Sequence, residues 1–170
     1  MTVQACEVPV SSALDRTKVD TAYFRDAYRA PLTHDQSVVD MFFAIFGYRP
    51  AWMNAALIAR NRVASLIGLK APSAQELLHG TPRHDYAVGE RIGTWPIHTL
   101  TETELIAGLD DKHLDFRLSI LIGAESRSVV VSTVCNVHNA FGKLYLLFVI
   151  PFHKWGVQLL IRRAVAAGRL

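Results

Sequence analysis

Residues 142–169 read GKLYLLFVIPFHKWGVQLLIRRAVAAGR, and this stretch decides the fold. It predicts a long helix that is apolar nearly all round before Pro151 and amphipathic after it. A helix without a polar stripe has to be covered on most sides, and the β-rich middle of the chain is the one partner large enough to cover it. The sequence therefore predicts a curved sheet that holds a C-terminal helix.

The apolar pattern changes to a period of two from Val88 onward. Strands are predicted at 88–98, 103–109, 113–122 and 128–138. Their short connections are typical of an antiparallel meander. His113 and Asp115 fall on one face of their strand, while Leu114 and Phe116 fall on the other. This alternation indicates a sheet that is wet on one face and covered by the C-terminal helix on the other.

The chain before the meander predicts a tail, a strand and two helices. Residues 1–18 lack periodicity and are expected to form a flexible tail, which leaves 19–170 as a single domain. The stretch 23–32 suits an edge strand, because Pro31 is tolerated there. The first helix is expected to end at Gly47 and the second to cover 51–67. Candidate N-caps of the first helix are Thr33, Asp35 and Ser37. One side of the second helix carries Trp52, Ala55, Ala56, Ala59, Val63 and Leu66.

The composition limits the class of partner. Hydrophobic residues make up 51% of the chain and charged residues 19%, a more apolar balance than is usual for a soluble domain. Either the core is large or some apolar surface faces a ligand, a partner chain or a membrane. The net charge is only +3, and no basic face interleaved with aromatic residues is visible, so nucleic-acid binding is not expected.

The cysteines and the apolar runs bear on localisation. Cys6 and Cys135 form no disulfide framework and fit a reducing cytoplasm. The first fourteen residues lack the pattern of a signal peptide. The apolar run 144–152 is far shorter than the ~20 residues of a membrane span, and His153 and Lys154 interrupt it, so no transmembrane span is expected.

Five stretches of the chain resemble a known family. They are FRDAYRAPL, the aromatic helix before GYRP, VGERIGTWPI, LIAGLDDKHLDFRLSI and HNAFGKLYLLFVIPFHKWGVQLLIRRA, and they extend over roughly 23–166. Together they resemble the DUF2867 family of mostly bacterial, uncharacterised proteins. The DDKHLDFR and HN…G…PFH segments are the most specific pieces.

The resemblance implies a fold and leaves the activity open. The family is associated with the helix-grip (SRPBCC) superfamily of START-like, Bet v 1-like and polyketide-cyclase-like proteins. That association implies a curved sheet, two short helices that close one end, and a long C-terminal helix over a central cavity. No activity is established for the family, so it supplies no catalytic residue for this chain.

Histidines and acids near the predicted turns are the candidates for chemistry. His113 and Asp115 share a strand face close to Asp110 and Asp111, but their spacing is not that of a metal motif, and neither a metal nor a cofactor is expected. Turn capping and cross-strand pairing explain this set more simply. Glu104 is interpreted, with its neighbour Glu102, as part of a solvated edge.

The start and the middle of the long helix contribute further candidates. Asn139 is a natural N-cap, and His138 before it either bonds loop carbonyls or lies at a cavity mouth as a general base or polar anchor. Pro151 predicts a kink near Leu147, where His153 caps freed carbonyls, faces water or contacts a ligand. Aromatic residues can fill the core or line a pocket. The proposed ligand-binding residues are Trp95, Phe116, His113, His138, Asn139, Tyr145, Phe148 and Phe152.

Three functions remain open at this point. The first is binding of a small hydrophobic or amphipathic molecule between the sheet and the C-terminal helix. The second is a cyclase, dehydratase or hydrolase that uses His138 with Asp115 or Tyr145. The third is an interaction or membrane-peripheral module, in which the residues around 159–169 form an interfacial helix. A homodimer through a sheet edge or an exposed apolar patch also stays open.

Overall fold

The structure, a computed structural model, describes residues 2–66, 83, 85–123 and 127–170. These residues form an α+β fold with a seven-stranded antiparallel sheet and a long C-terminal helix, which confirms the predicted class. The tip of the predicted turn before the last strand lies outside the described residues, as do the side chains of Val63 and Leu66.

The sheet has the order β1-β2-β7-β6-β5-β4-β3. Its strands are β1 (Gln4–Cys6), β2 (Phe24–Pro31), β3 (Arg91–Ile92), β4 (Trp95–Leu100), β5 (Glu104–Asp110), β6 (Leu114–Ile122) and β7 (Ser128–Val137). Strands β4 to β7 pair with their sequence neighbours, which confirms the meander. The expectation that β2 is an edge strand is wrong, because β2 pairs with β1 on one side and β7 on the other. Pro31 is tolerated because it is the last residue of the strand.

The described helices are α1 (Arg16–Asp20), α2 (Val38–Phe46), α3 (Ala51–Leu66) and α4 (Ala140–Ala166). Local sequence signals explain the caps of α2 and α4, and the predicted end of the second helix at residue 67 lies outside the described residues. The Ser37 hydroxyl accepts a hydrogen bond from the Asp40 backbone N–H, and Gly47 is the C-cap of α2. The Asn139 side chain accepts from the Gly142 N–H at 3.1 Å, so the predicted cap of α4 is confirmed.

One face of the sheet, here called the inner face, packs against α2 and the second half of α4. Val157, Leu160, Ile161 and Ala164 of α4 are buried in this core. The first half of α4 buries only Gly142 and Leu146. The expectation that the apolar first half is covered on most sides is therefore wrong, because the sheet contacts a single side of the helix.

The opposite face, here called the outer face, is covered by the N-terminal segment. Val8, Leu14 and Val19 pack against Val130 and Val134 of β7 and are buried. The sequence predicted a flexible tail for this segment. It packs instead, because the outer face of β7 is itself apolar and has to be covered. The N-terminal segment thus belongs to the packed fold.

Glu104 fastens the N-terminal segment to the sheet. Its side chain is 3% exposed, so the expectation of a solvated edge is wrong for this residue. The Ser12 hydroxyl and the Ala13 N–H donate to its carboxylate at 2.5 and 2.7 Å, and the Ser119 hydroxyl donates at 2.6 Å. These three donors satisfy the carboxylate in the interior.

Candidate functional site

A group of polar side chains lies between the inner face of the sheet and helix α4. We call it the inner polar cluster, and it consists of Asp26, Tyr28, Thr133 and His153. The Tyr28 hydroxyl donates to Asp26 Oδ2 at 3.0 Å, and His153 Nε2 lies 3.4 Å from Asp26 Oδ1. The side chains of Asp26 and His153 are only 10% and 19% exposed. An acid, an imidazole and a phenol thus meet inside an apolar interface.

The strand register places these residues together. Asp26 follows Phe24 by two residues and precedes Tyr28 by two, so all three side chains leave the same face of β2. Thr133 is the direct cross-strand partner of Asp26 on β7. The Thr133 Oγ1 is buried and has no hydrogen-bond partner among the described residues. Thr133 therefore offers a free hydroxyl beside the acid.

Helix α4 supplies His153 from the opposite side. His153 precedes the buried Val157 by four residues, so both side chains lie on the covered side of the helix. The Phe24 ring packs edge-on against the imidazole at 5.5 Å between centroids. The structure contradicts one of the three predicted roles for His153, that it faces water, because its side chain is mostly buried. Contact with a ligand was another of the three, and the position of His153 next to Asp26 is compatible with that role.

The cluster also affects the acidity of nearby groups. Burial raises the pKa of Tyr28 above its ordinary value, so the phenol stays protonated and donates near neutral pH. Burial also raises the pKa of Cys135 to about 12. The Cys135 thiol is therefore protonated at neutral pH and is not a nucleophile.

Three predicted ligand-binding aromatics lie on the inner side of the fold. The rings of Trp95 and Phe116 are 5.3 Å apart, and both side chains are partly buried against the core. Tyr145 packs beside Phe116 in the cluster around Leu146, with the Arg60 guanidinium 5.2 Å from its ring. Burial raises the pKa of Tyr145. These rings supply apolar area on the same side of the sheet as the inner polar cluster.

Two other predicted ligand residues face away from the sheet. Phe148 and Phe152 are 66% and 76% exposed. They lie on the side of α4 opposite Leu146, so the structure does not bring them to the inner polar cluster.

The predicted catalytic pair is formed, but on the outer face. His138 Nε2 lies 3.0 Å from Asp115 Oδ1, and Lys18 Nζ lies 3.6 Å from Asp115 Oδ2. Asp115 lines an open cleft of about 160 Å³ together with residues of the N-terminal segment. Tyr145 lies on the other side of the sheet, so the structure does not bring the three catalytic candidates together. Because His138 and Asp115 lie outside the space between the sheet and α4, they cannot serve a ligand held there.

His113 and Asn139 form a junction at the start of α4. His113 Nδ1 lies 3.1 Å from Asn139 Oδ1, and the Asn139 amide donates to the Lys112 carbonyl at 3.0 Å. These contacts hold the first turn of α4 against the residues that immediately precede β6. No group of three or more His, Cys, Asp or Glu side chains suited to a metal ion occurs in the part of the chain that the structure describes.

The comparisons with known proteins identify a family. A family model with the description "Protein of unknown function (DUF2867)" matches residues 18–159. The chain belongs to the DUF2867 family. No curated protein and no solved structure matches it.

The DUF2867 match spans all four residues of the inner polar cluster. Of the four residues, only His153 was a candidate predicted from the sequence, and Asp26, Tyr28 and Thr133 were not. The available signal for Asp26 was its position in FRDAYRAPL, where a carboxylate alternates with Phe24 and Tyr28 on one strand face. A charged residue between two aromatic residues on an inward face indicates a buried polar contact.

The ion pair of Asp110 and Arg117 predicts a pH-dependent stability. Arg117 donates to both Asp110 oxygens, at 2.6 and 3.1 Å, and these bonds lower the pKa of Asp110. Because the folded-state pKa is lowered, the ion pair stabilises the fold at pH values above the unfolded pKa of ~3.9. This stabilisation is lost as the pH falls through the folded-state pKa. We expect Asp110→Asn to cost ~0.5–1 kcal/mol at pH 7, because the acid is half exposed. Urea titrations at pH 7 and in strong acid check this, and a difference that stays constant with pH would contradict it.

Proposed function

We propose that the protein binds a small amphipathic molecule between the inner face of the sheet and helix α4, in the manner of the helix-grip superfamily. The inner polar cluster carries this proposal. Burying a carboxylate and an imidazole in an apolar interface costs stability, even when the two groups contact each other. Such a cost is characteristic of sites that have a role beyond packing.

The surroundings of the cluster suit an amphipathic ligand. Trp95, Phe116 and Tyr145 contribute partly buried aromatic area, and apolar contact stabilises a complex by ~25 cal/mol per Å² before the costs of binding. The Thr133 hydroxyl and the His153 imidazole lie where a few polar groups would orient the ligand. The polar end of the ligand is then a hydroxyl or carbonyl group that bonds the free Thr133 hydroxyl.

Paired substitutions at neighbouring positions of β7 test the proposal. Thr133→Val removes the free hydroxyl of the inner face with little change of shape, and Ser132→Ala removes the equally buried and unpartnered hydroxyl of the outer face. We expect both variants to remain folded, because an unsatisfied buried hydroxyl contributes nothing to stability. Ligand affinity should fall ~10-fold, about 1.4 kcal/mol, in Thr133→Val alone.

The measurement begins with native mass spectrometry of the purified protein and of the compound it carries. Displacement of anilinonaphthalene sulfonate by that compound then gives affinities for the wild type and the two variants. The proposal fails if the protein carries no compound and binds neither the dye nor any lipid-like or aromatic compound. It also fails if Ser132→Ala weakens binding as much as Thr133→Val.

The contact of Asp26 with His153 favours a second candidate, an enzyme of the cyclase, dehydratase or hydrolase kind. A carboxylate on one imidazole nitrogen orients the ring, as a general acid or base requires. This candidate replaces the His138–Asp115 pair with an inward-facing one. Incubation of the bound compound with the protein separates the two candidates, because only an enzyme converts the compound, and chromatography with mass spectrometry detects the conversion even when a cyclisation leaves the mass unchanged. For either candidate, the two free thiols keep the cytoplasm as the proposed compartment.

A further inference from the structure

Helices α3 and α4 carry an apolar surface that faces solvent. Seven of the eleven large apolar side chains that are exposed in the described part of the chain belong to these two helices, with exposed fractions from 48% to 76%. They are Trp52, Phe141, Leu144, Leu147, Phe148, Phe152 and Trp155. We call them the α3–α4 apolar surface. Exposure on this scale marks an interaction site rather than scattered surface residues.

The spacing of these residues makes the surface continuous. The members on α4 mostly recur every three or four residues and so lie along one side, opposite the buried Leu146 and Val157. Helix α3 runs antiparallel beside α4, because the Trp52 and Trp155 rings pack against each other at 5.1 Å between centroids while Arg60 covers Tyr145. Helix α3 therefore extends this surface, and Ala55 on α3 is exposed as well.

The charge around the surface has a single sign. Neither α3 nor α4 contains an aspartate or a glutamate. Six exposed basic residues lie on the two helices: Arg60, Arg62, Lys143, Lys154, Arg162 and Arg163. None of the six forms an ion pair with a carboxylate of the residues that the structure describes. The complementary partner is therefore anionic.

This charge argues against a second copy of the chain as the partner. A two-fold contact would place the same basic side chains opposite one another, with no acid on either helix to neutralise them. An anionic lipid bilayer offers both an apolar layer and negative head groups. The half-exposed Trp52–Trp155 pair fits the bilayer interface, where tryptophan is enriched.

The core contacts of helix α4 are incompatible with a transmembrane orientation. Helix α4 is the one helix among the described residues with the length and composition to cross a bilayer, with a mean hydropathy of 1.5. Its second half, however, is held in the core through Leu160, Ile161 and Ala164. These residues belong to the segment that the sequence predicted to be interfacial. The part of the helix that is available to a membrane is instead its first half.

We propose that the α3–α4 apolar surface docks the protein on anionic lipid bilayers. The aromatic side chains enter the boundary between head groups and acyl chains, and the flanking lysines and arginines contact the lipid phosphates. This docking does not depend on the ligand proposed above, because the inner polar cluster lies on the other side of α4.

Co-sedimentation with vesicles tests the docking. We expect the full chain to bind vesicles of phosphatidylcholine with phosphatidylserine, and binding to fall ~10-fold or more when phosphatidylserine is omitted or salt is raised to about 1 M. The double variant Phe148→Glu and Phe152→Glu should lose binding by a similar factor, and it should fold because both side chains are exposed. Val10→Glu, at an equally exposed apolar residue elsewhere, is the matched control and should bind like the wild type.

Tryptophan emission gives a second readout. In Trp95→Phe the remaining tryptophans are Trp52 and Trp155, both in the α3–α4 apolar surface. Their emission should shift to the blue on addition of the anionic vesicles. The proposal is overturned if the wild type stays in the supernatant, or if the double glutamate variant binds as well as Val10→Glu. A wild type that is dimeric in light scattering and does not bind vesicles would assign the surface to a second copy instead.

Discussion

Replacing Gly142 with alanine is expected to lower the free energy of unfolding by ~2–4 kcal/mol, although alanine is the better helix former. A Cβ at this position would lie 2.3 Å from the His113 carbonyl oxygen and 2.8 Å from Val137 Cγ1. The carbonyl cannot move away without loss, because it accepts the His138 N–H at 2.9 Å. The first turn of α4 must therefore shift, which strains the Asn139 cap.

The same helix offers a matched control in Gly156. A Cβ there would meet only Met53 Cε at 3.7 Å, an ordinary contact. Gly156→Ala should therefore raise the free energy of unfolding by up to ~1 kcal/mol, the usual gain of alanine over glycine in a helix. Urea denaturation of both variants measures the two changes in the free energy of unfolding, which should have opposite signs. A shift in the same direction for both variants would show that the contact at His113 does not limit the packing of α4.

The parts of the fold that were predictable depend on local chemistry. Ser37 and Asn139 are short polar side chains placed before apolar helical patterns, so the caps they form were readable from a few residues. The alternation of polar and apolar residues along β6 was equally local, because neighbouring positions alone assign each side chain to one face. A register error of one residue would have reversed the two faces. These signals predicted the meander and the start of each principal helix.

The parts that were missed depend on distant partners. Asp26 and His153 are 127 residues apart in the chain, and Ser12 and Glu104 are 92 apart, so neither pair leaves a trace in a short window. The N-terminal segment covers the outer face through isolated apolar residues rather than through a periodic pattern. The exposure of α4 was missed for a related reason: a helix that is apolar all round does not reveal which side the fold covers.

Replacing Glu104 with alanine is expected to lower the free energy of unfolding by ~3 kcal/mol, because three donors lose their acceptor in the interior. The Ser12 and Ser119 hydroxyls and the Ala13 N–H all depend on this carboxylate. For a chain of this size the loss corresponds to a fall of ~6–12 °C in Tm. Thermal unfolding followed by circular dichroism checks the value.

Two further variants distinguish the effect of the hydrogen bonds to the buried carboxylate from the effect of its negative charge. Glu102→Ala removes an exposed acid two residues away and should change stability by less than ~0.5 kcal/mol. Glu104→Gln keeps one acceptor oxygen for the two serine hydroxyls but loses the acceptor of the Ala13 N–H, so its cost should be intermediate. If the carboxylate fastens the N-terminal segment, trypsin should cleave Glu104→Ala at Arg16 or Lys18 well before the wild type, because local opening exposes α1. Equal stability of Glu104→Ala and Glu102→Ala would mean that the segment is held by its apolar contacts alone.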